Sequence, residues 1–321
     1  MIVTHELRKV YPGRDARPAV DGLSLTIPAG RVTGLLGLNG AGKTTTIRIL
    51  ATLLRPTSGT ATVDGLDVVT YARAVRRRIN LIAGGERMVY TRLTGRENLW
   101  YFGQLYDVPR AKLRGRIDEL LALVGLSEAG GTLVERYSRG MRQRLAIARG
   151  LINEPAYLLL DEPTLGLDAP IARDLRKVVA GLAASGVGVL LTSHYLAEVE
   201  ELCEHVYVIS AGRLLAEGSP DDLKAHTERR HTVTVTLAVD DDAVRGAVAD
   251  LAAGTGAEVI LELDPDGRPQ LGLRHRDDLA GELATTVVRA GGAIVRLEVA
   301  EPTLEDAILA LAERDAVGVL R

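Results

Sequence analysis

Short apolar runs alternate with amphipathic helical patterns along the first 225 residues. Apolar runs bounded by polar residues or glycine predict buried strands at 31–36, 79–83, 156–160, 188–192 and 205–209. Apolar residues at helical spacing predict helices at 45–54, 171–184 and 196–202, and a mainly helical stretch at 94–151. Strands that alternate with helices are typical of a parallel sheet with helices packed on it. The pattern therefore predicts an α/β fold for this part of the chain.

The pattern changes near residue 226, after which the elements become short and regularly spaced. Lysine is absent beyond Lys224. The predicted order is strand 232–238, helix 242–253, strands 257–263 and 269–273, helix 277–290, strand 293–299 and a terminal helix from Glu301. This βαββαβ order is typical of a split-βαβ sandwich. We therefore predict two domains, residues 1–225 and a small α+β domain at 226–321.

Composition and charge narrow the class of protein. The chain has 321 residues, of which 46% are hydrophobic and 25% charged, as in ordinary globular proteins. Its charged N-terminus does not resemble a signal peptide, and polar residues interrupt the longest uncharged run, at 178–197, so we expect a soluble protein without a membrane span. Residues 226–321 carry 10 basic and 18 acidic side chains, which argues against nucleic-acid binding there. The single cysteine, Cys203, is expected to be a buried, inert thiol.

A glycine-rich loop follows the first predicted buried strand. It has the pattern G-x-x-x-x-G-K-T, in which backbone N–H groups converge on phosphate oxygens, the lysine adds charge and the threonine hydroxyl can bind Mg²⁺. Its predicted nucleotide-binding residues are Gly37, Leu38, Asn39, Gly40, Ala41, Gly42, Lys43, Thr44 and Thr45. The alternative is a glycine turn with a chance lysine. Because a strand precedes the loop and a helix follows it, we predict a nucleoside triphosphate with Mg²⁺ as the ligand.

Two adjacent carboxylates follow the apolar strand at 156–160. Asp161 fits the role of holding Mg²⁺ together with Thr44, and Glu162 that of the general base that polarises the attacking water. The carboxyl ends of parallel strands meet at one edge of a sheet, which is where the glycine loop also lies. A solvated acidic turn is the alternative interpretation.

A third motif, at 137–144, opens a predicted helix that runs to about residue 151. With Ser138 and Gly140 it resembles the signature Leu-Ser-Gly-Gly-Gln of ATP-binding cassette (ABC) ATPases, from which Tyr137, Arg139 and Met141 depart. A serine hydroxyl, a glycine and a helix N-terminus can together bind a γ-phosphate. In the family this motif contacts ATP held by the P-loop of a second subunit. A capped basic helix without ligand is the alternative.

Further residues match the family in order along the chain. Residues 165–168, ending at Asp168, resemble the D-loop; His194 resembles the switch histidine that contacts the γ-phosphate; Tyr11 resembles the aromatic residue that stacks on adenine. A simple turn, a structural histidine and a surface tyrosine are the respective alternatives. The family's usual glutamine after the strand at 79–83 is missing, and we hypothesise that Glu86 takes its place.

The resemblance, over about residues 1–225, implies a P-loop NTPase fold of the ABC ATPase type, with a mixed or parallel sheet core and a helical subdomain at about 86–151. It implies ATP and Mg²⁺ as ligands, ATP hydrolysis with Glu162 and His194 as catalytic residues, and a homodimer or heterodimer that sandwiches ATP. It also implies a separate transmembrane permease, contacted around residues 90–98, and a place on the cytoplasmic face of the cell membrane. No nucleic-acid partner is expected.

Segments 91–99 and 301–307 resemble prokaryotic exporters of drugs, antibiotics, lipids or polysaccharides, so export is the predicted function. Alternatives are an importer ATPase and a non-transport ABC ATPase of translation or DNA repair, although the chain lacks the long coiled-coil insertion or second cassette typical of the latter. A GTPase is disfavoured, because no Asn-Lys-x-Asp motif follows the P-loop.

Overall fold

The computed structural model describes residues 1–13, 17–83, 89–193, 195–225, 231–239, 241–264, 267–300 and 303–317. These residues form two compact units, Met1–Pro220 with two sheets and Asp221–Val317 with one. Across the described ranges, no helix is long and apolar enough to span a membrane.

The first unit contains two sheets. Its strands are β1 (Ile2–Val10), β2 (Pro18–Leu23), β3 (Thr26–Ile27), β4 (Val32–Leu36), β5 (Ser58–Val63), β6 (Leu66–Asp67), β7 (Ile79–Ala83), β8 (Tyr157–Asp161), β9 (Gly188–Thr192), β10 (His205–Ser210) and β11 (Arg213–Gly218). One sheet is antiparallel, in the order β2-β1-β5-β6, with β3 also paired to β1. The other has the order β11-β10-β4-β9-β8-β7, in which all neighbours are parallel except β10 and β11.

Burial explains why the strands of the second sheet are continuous apolar runs. Every residue of β4 and β9 is buried, as are four of the five residues of β8. Parallel sheets are covered on both faces, so a strand in their centre has no solvent-facing side on which polar residues would be favoured. The predicted α/β fold with a parallel core is confirmed.

The helices of the first unit are α1 (Lys43–Leu50), α2 (Ala72–Val75), α3 (Gly95–Leu105), α4 (Arg110–Leu123), α5 (Arg139–Gly150), α6 (Ala169–Ala184) and α7 (Leu196–Leu202), and α8 (Pro220–Ala225) follows. Three of them, α3 to α5, occupy the predicted helical stretch. Helix α1 ends four residues before the predicted end at residue 54, because Thr52 has a left-handed backbone with φ of 61°. Helix α3 begins at a capping box, in which Thr94 and Glu97 each accept a hydrogen bond from the other's backbone N–H.

The second unit consists of β12 (His231–Leu237), α9 (Asp242–Thr255), β13 (Glu258–Leu263), β14 (Pro269–His275), α10 (Ala280–Arg289), β15 (Ile294–Ala300) and α11 (Leu304–Val317). Its antiparallel sheet has the order β13-β14-β12-β15. Apolar residues of the two central strands form one core with residues of α9 and α10, among them Val235, Leu271, Val248 and Leu283. The predicted βαββαβ order is confirmed, and α10 begins three residues after the predicted start at residue 277.

Candidate nucleotide-binding site

The glycine-rich loop lies between the end of β4 and the start of α1. Gly42, the residue before the helix, has φ of 107°, and a Cβ atom there would lie 2.4 Å from the Ala19 carbonyl oxygen. A Cβ on Gly37 would lie 2.2 Å from the Ile209 carbonyl oxygen. Glycine is therefore required at both positions, because the loop packs directly against the backbone of neighbouring segments.

Lys43 is the first residue of α1 and is 6% exposed. Its Nζ donates hydrogen bonds to the carbonyl oxygens of Gly37 (2.6 Å) and Leu38 (3.2 Å), so the ammonium lies inside its own loop. Burial lowers the pKa of Lys43, and the nearby carboxylates of Glu162 and Asp161 oppose that shift. The loop thus concentrates backbone N–H groups, a helix N-terminus and one buried cation, all of which favour a bound anion.

A pocket of about 330 Å³ opens on this loop. It is lined by Ala19, Asn39, Gly40, Ala41, Gly42, Lys43, Thr44, Thr45 and Glu162. Tyr11 lies beside it, 42% exposed, with its hydroxyl 3.5 Å from the Thr45 hydroxyl. The fold therefore brings the loop, Glu162 and Tyr11 together, and the binding roles predicted for these residues stay predictions.

Thr192 connects the two acids at the end of β8. Asp161 and Thr192 are register partners on β8 and β9, and the Thr192 hydroxyl donates to Asp161 Oδ1 at 2.7 Å. The Glu162 N–H donates to both the carbonyl oxygen (3.0 Å) and the hydroxyl oxygen (3.2 Å) of Thr192. Glu162 has φ of 55°, a left-handed conformation that costs about 1–3 kcal/mol in a non-glycine residue. The turn held by Thr192 brings the Glu162 side chain to the pocket.

A buried carboxylate next to this turn was missed by reasoning from the sequence. Glu198 of α7 is 2% exposed and accepts hydrogen bonds from Ser193 Oγ (2.5 Å) and Thr164 Oγ1 (3.0 Å). Burial raises the pKa of Glu198, and the two hydroxyl donors partly oppose that rise. Glu198 thereby ties the segment after Glu162 to the end of β9. In the sequence nothing distinguishes it from its exposed neighbours on α7.

The signature segment forms the N-terminus of α5. Ser138 caps the helix by accepting a hydrogen bond from the Met141 N–H at 3.2 Å. A Cβ on Gly140 would lie 2.7 Å from atoms of Ile171 on α6, so glycine allows the two helices to approach closely. Arg139, which departs from the family pattern, donates from Nη2 to the Leu165 carbonyl oxygen at 3.1 Å. The signature is therefore bonded within one chain to the segment that resembles the D-loop.

Ser138, Gly140 and Asp168 are not among the residues that line the P-loop pocket. Ser138 and Asp168 are exposed, and Asp168 stands at the N-cap of α6. Their predicted contact with the ATP of a second subunit stays a prediction. His194 and Glu86 lie outside the described residues, so the roles predicted for them stay predictions.

The donor set near the pocket suits Mg²⁺. Thr44, whose side chain is exposed beside the loop, offers a hydroxyl, and Asp161 at the end of β8 offers a carboxylate. Mg²⁺ in nucleotide sites is usually held by one or two such oxygens, with phosphate oxygens and waters completing the octahedron. Within the described ranges, no group of three or more His, Cys, Asp or Glu side chains could hold a metal. Thr44 and Asp161 therefore offer oxygen ligands of the kind that Mg²⁺ binds.

Cys203 is buried and unpaired with another cysteine, as predicted, and burial raises the pKa of its thiol.

Comparison with known proteins identifies the family. Residues 20–165 match the family model described as ABC transporter. The chain is 47% identical over 211 residues to the daunorubicin resistance ATP-binding protein DrrA3 of Streptomyces coeruleorubidus, an alignment that covers 66% of each chain. It is 38% identical over 302 residues to the daunorubicin resistance ATP-binding protein DrrA2 of the same organism, covering 91% of this chain and 90% of that one. This chain belongs to the ABC transporter family.

The chain is also similar to solved structures of ABC proteins, and its similarity to one relative extends beyond the first unit. Among these structures is cbiO1 of Clostridium perfringens, part of the ABC transporter complex cbiONQ, with a TM-score of 0.64 and 26% identity over 70% of this chain and 90% of that one. The alignment with DrrA2 is longer than the first unit, so that relative shares part of the second unit as well. The predicted ABC ATPase fold is confirmed.

Proposed function

We propose that this chain is the ATP-hydrolysing subunit of an exporter of drug-like, antibiotic-like or lipid-like compounds, working through a separate membrane permease. The observation that carries the proposal is the pocket in which the P-loop, Lys43 and Glu162 meet. The names of the relatives DrrA3 and DrrA2, which refer to daunorubicin resistance, support drug export. The chain would work at the cytoplasmic face of the cell membrane, held there by the permease.

The residues of the pocket suit the hydrolysis of ATP. Backbone N–H groups of the loop and Lys43 would hold the phosphates, and Tyr11 would stack on the adenine. Thr44 and Asp161 would hold Mg²⁺, which neutralises charge on the phosphates when it is bound. Glu162 would take the proton from the water that attacks the γ-phosphate, and its fixed turn keeps the carboxylate at the pocket wall.

Two subunits would complete each site. Ser138 and Gly140 carry a helix N-terminus that suits a γ-phosphate, yet they do not line the pocket of their own chain. We therefore propose that they bind the nucleotide of the opposite subunit, with Asp168 near the contact between the two subunits. His194 would contact the same γ-phosphate.

Three exposed aromatic side chains, one before α3 and two on it, suit the contact with the permease. Tyr90, Trp100 and Tyr101 are 50%, 42% and 44% exposed, and the rings of Tyr90 and Tyr101 meet edge to face at 5.1 Å. Aromatic side chains are enriched in protein interfaces, and exposed apolar clusters mark such surfaces. Tyr90 is the first residue of the segment at 90–98 for which the permease contact was predicted, and Trp100 and Tyr101 follow that segment.

The proposal is tested with the chain co-purified with its permease and placed in lipid vesicles, with daunorubicin as the probe. We expect daunorubicin to stimulate ATP hydrolysis and to move across the vesicle membrane only when ATP is present. Trp100→Ala should weaken co-purification with the permease, whereas Leu53→Ala, at an apolar side chain that is 65% exposed elsewhere in the first unit, should not. ATP hydrolysis without any transport of the probe would exclude daunorubicin-like cargo, and lack of hydrolysis would overturn the proposed activity itself.

A further inference from the structure

One edge strand of the sheet in the second unit, β15, carries exposed apolar side chains. Within the described part of the chain, β15 pairs on one side only, with β12. Leu297 is the register partner of Val235, and Val299 that of Val233. Both valines of β12 are buried in the core, whereas Leu297 and Val299 remain 39% and 40% exposed. The apolar face of the sheet therefore continues past the core to an unpaired edge.

The opposite face of β15 carries two charges of opposite sign. Arg296 and Glu298 are two residues apart, with side chains 63% and 56% exposed and their charged groups 3.5 Å from each other. A strand that pairs antiparallel with a second copy of itself about a two-fold axis at Leu297 places residue 296 opposite residue 298, in both directions. Each Arg296 then meets a Glu298, and these pairs lie on the C-terminal side of the register shift at Val295.

We propose that two copies of this chain associate through β15, antiparallel and with Leu297 on the two-fold axis, to form one continuous sheet from their second units. Two ion pairs would lie on one face of the seam. On the other face, Leu297 and Val299 of both copies would be removed from water. Cross-strand pairs of this kind are what stabilises a sheet, and an exposed edge strand is a ready template for such pairing.

The other edge of the sheet lacks this complementarity. Strand β13 also exposes apolar side chains, with Leu261 at 58%, but its charges are Glu258 and Glu262 only. A two-fold axis at Ile260 would place Glu258 opposite Glu262, and an axis at Leu261 would place Ile260 opposite Glu262. Pairing of β13 with β15 of another copy would be a heterologous contact, which gives rings or open chains and not a two-fold dimer. The pattern of charge therefore favours β15 alone.

This association goes beyond the proposed ATP sandwich, because it involves none of the residues of the P-loop pocket and needs no nucleotide. It would keep two subunits together when both sites are empty. The oligomeric state without nucleotide therefore tests it separately from hydrolysis.

The first test reverses the charge at Arg296 or Glu298. It measures the oligomeric state of the full chain without nucleotide by sedimentation velocity. We expect wild type to be a dimer, and Glu298→Arg or Arg296→Glu to weaken the dimer about tenfold each, because like charges then face each other twice. An equimolar mixture of these two variants should dimerise again, as should the double variant Arg296→Glu with Glu298→Arg. Glu262→Arg on β13 is the matched control and should dimerise like wild type. A monomeric wild type, or variants and mixture that behave alike, would overturn the proposal.

A cysteine on the proposed axis gives the second test. Directly opposite residues of an antiparallel pair have Cβ atoms about 4.5–5.5 Å apart, close to the separation that a disulfide needs. Leu297→Cys should therefore cross-link two chains under mild oxidation without nucleotide, and the native thiol of Cys203 is buried and should not interfere. Leu261→Cys on β13 should stay uncross-linked. Cross-linking through Leu261→Cys in preference to Leu297→Cys would show that the other edge pairs and would refute this one.

Discussion

At the scale of single residues, Glu162 combines a left-handed backbone with a position on the pocket wall. We expect Glu162→Gln to bind ATP with about the wild-type affinity, because Gln has the same shape and the P-loop is unchanged. Hydrolysis should fall about 10²–10⁴-fold, which is the usual contribution of a general base. Phosphate release and isothermal titration with ATP measure the two effects. Glu204→Gln, at an exposed acid of the same unit, is the control and should hydrolyse normally; normal turnover in Glu162→Gln would exclude it as the base.

Glu198 permits a prediction about pH. Burial raises its pKa in the folded chain, so the protonated form is favoured there. The stability that protonated Glu198 contributes to the folded chain is fully present below the pKa of about 4.3 that glutamate has in an unfolded chain. It is lost as the pH rises through the higher pKa that Glu198 has in the folded chain. Glu198→Gln does not titrate and can still accept from Ser193 and Thr164. The difference in the free energy of unfolding between Glu198→Gln and wild type should therefore rise in favour of the variant from about pH 4 to pH 7.

Glu198→Ala separates the charge of this side chain from its hydrogen bonds. The Thr164 hydroxyl would lose its acceptor in a buried site, and the Ser193 hydroxyl would keep only the Tyr195 carbonyl oxygen, at 3.4 Å. An unsatisfied buried polar group costs about 1–3 kcal/mol, so we expect a loss of that order in urea unfolding at pH 7. A loss in Glu198→Gln as large as that in Glu198→Ala would show that the charge, and not the acceptor, stabilises the turn.

At the scale of elements, two glycines in neighbouring helices differ in what surrounds them. A Cβ on Gly103 of α3 would lie 2.3 Å from Leu113 Cδ1 of α4, whereas a Cβ on Gly115 of α4 would meet nothing within 4 Å. Helix propensity alone favours alanine at both positions by up to about 1 kcal/mol. We expect Gly115→Ala to stabilise by about that amount and Gly103→Ala to destabilise by about 1–3 kcal/mol, because the clash outweighs propensity.

Urea unfolding at one pH measures the free energy of unfolding of both glycine variants. Leu113 is fully buried, so Leu113→Ala is itself destabilising. Because it also removes the clash, the double variant Gly103→Ala with Leu113→Ala should lose less stability than the sum of the two single variants. Equal stabilisation by the two single variants would mean that α3 and α4 are not closely packed at Gly103.

The elements also show what a single sequence can predict. The central strands were predictable because a parallel strand buried on both faces leaves a continuous apolar run, as in β4 and β9. The end of α1 was not, because apolar spacing continues through Leu54 while the left-handed Thr52 ends the helix. Among the site residues, the P-loop and Glu162 have local patterns of their own. Glu198 acts by accepting hydrogen bonds from Thr164, 34 residues away, and Ser193, 5 residues away. The contact with Thr164 depends on the fold and leaves no local pattern in the sequence.

At the scale of the whole molecule, the two units differ in their aromatic content. Each has a core of its own, and all nine tyrosines, the tryptophan and the phenylalanine precede residue 221. Near-ultraviolet circular dichroism and fluorescence therefore report on the first unit alone. Far-ultraviolet circular dichroism reports on the helices and strands of both units.

This contrast allows the ATP-dependent stability of one unit to be measured in the intact chain. A ligand that binds only the folded first unit stabilises it by about 2.7 kcal/mol at a concentration 100 times its Kd. With Glu162→Gln, to prevent hydrolysis, ATP and Mg²⁺ should raise the midpoint of the aromatic signal. The far-ultraviolet trace should keep a component whose midpoint does not move, since the second unit contains none of the residues of the P-loop pocket. Lys43→Ala should abolish the shift. Coincident transitions that move together at every wavelength would instead show that the two units unfold as one.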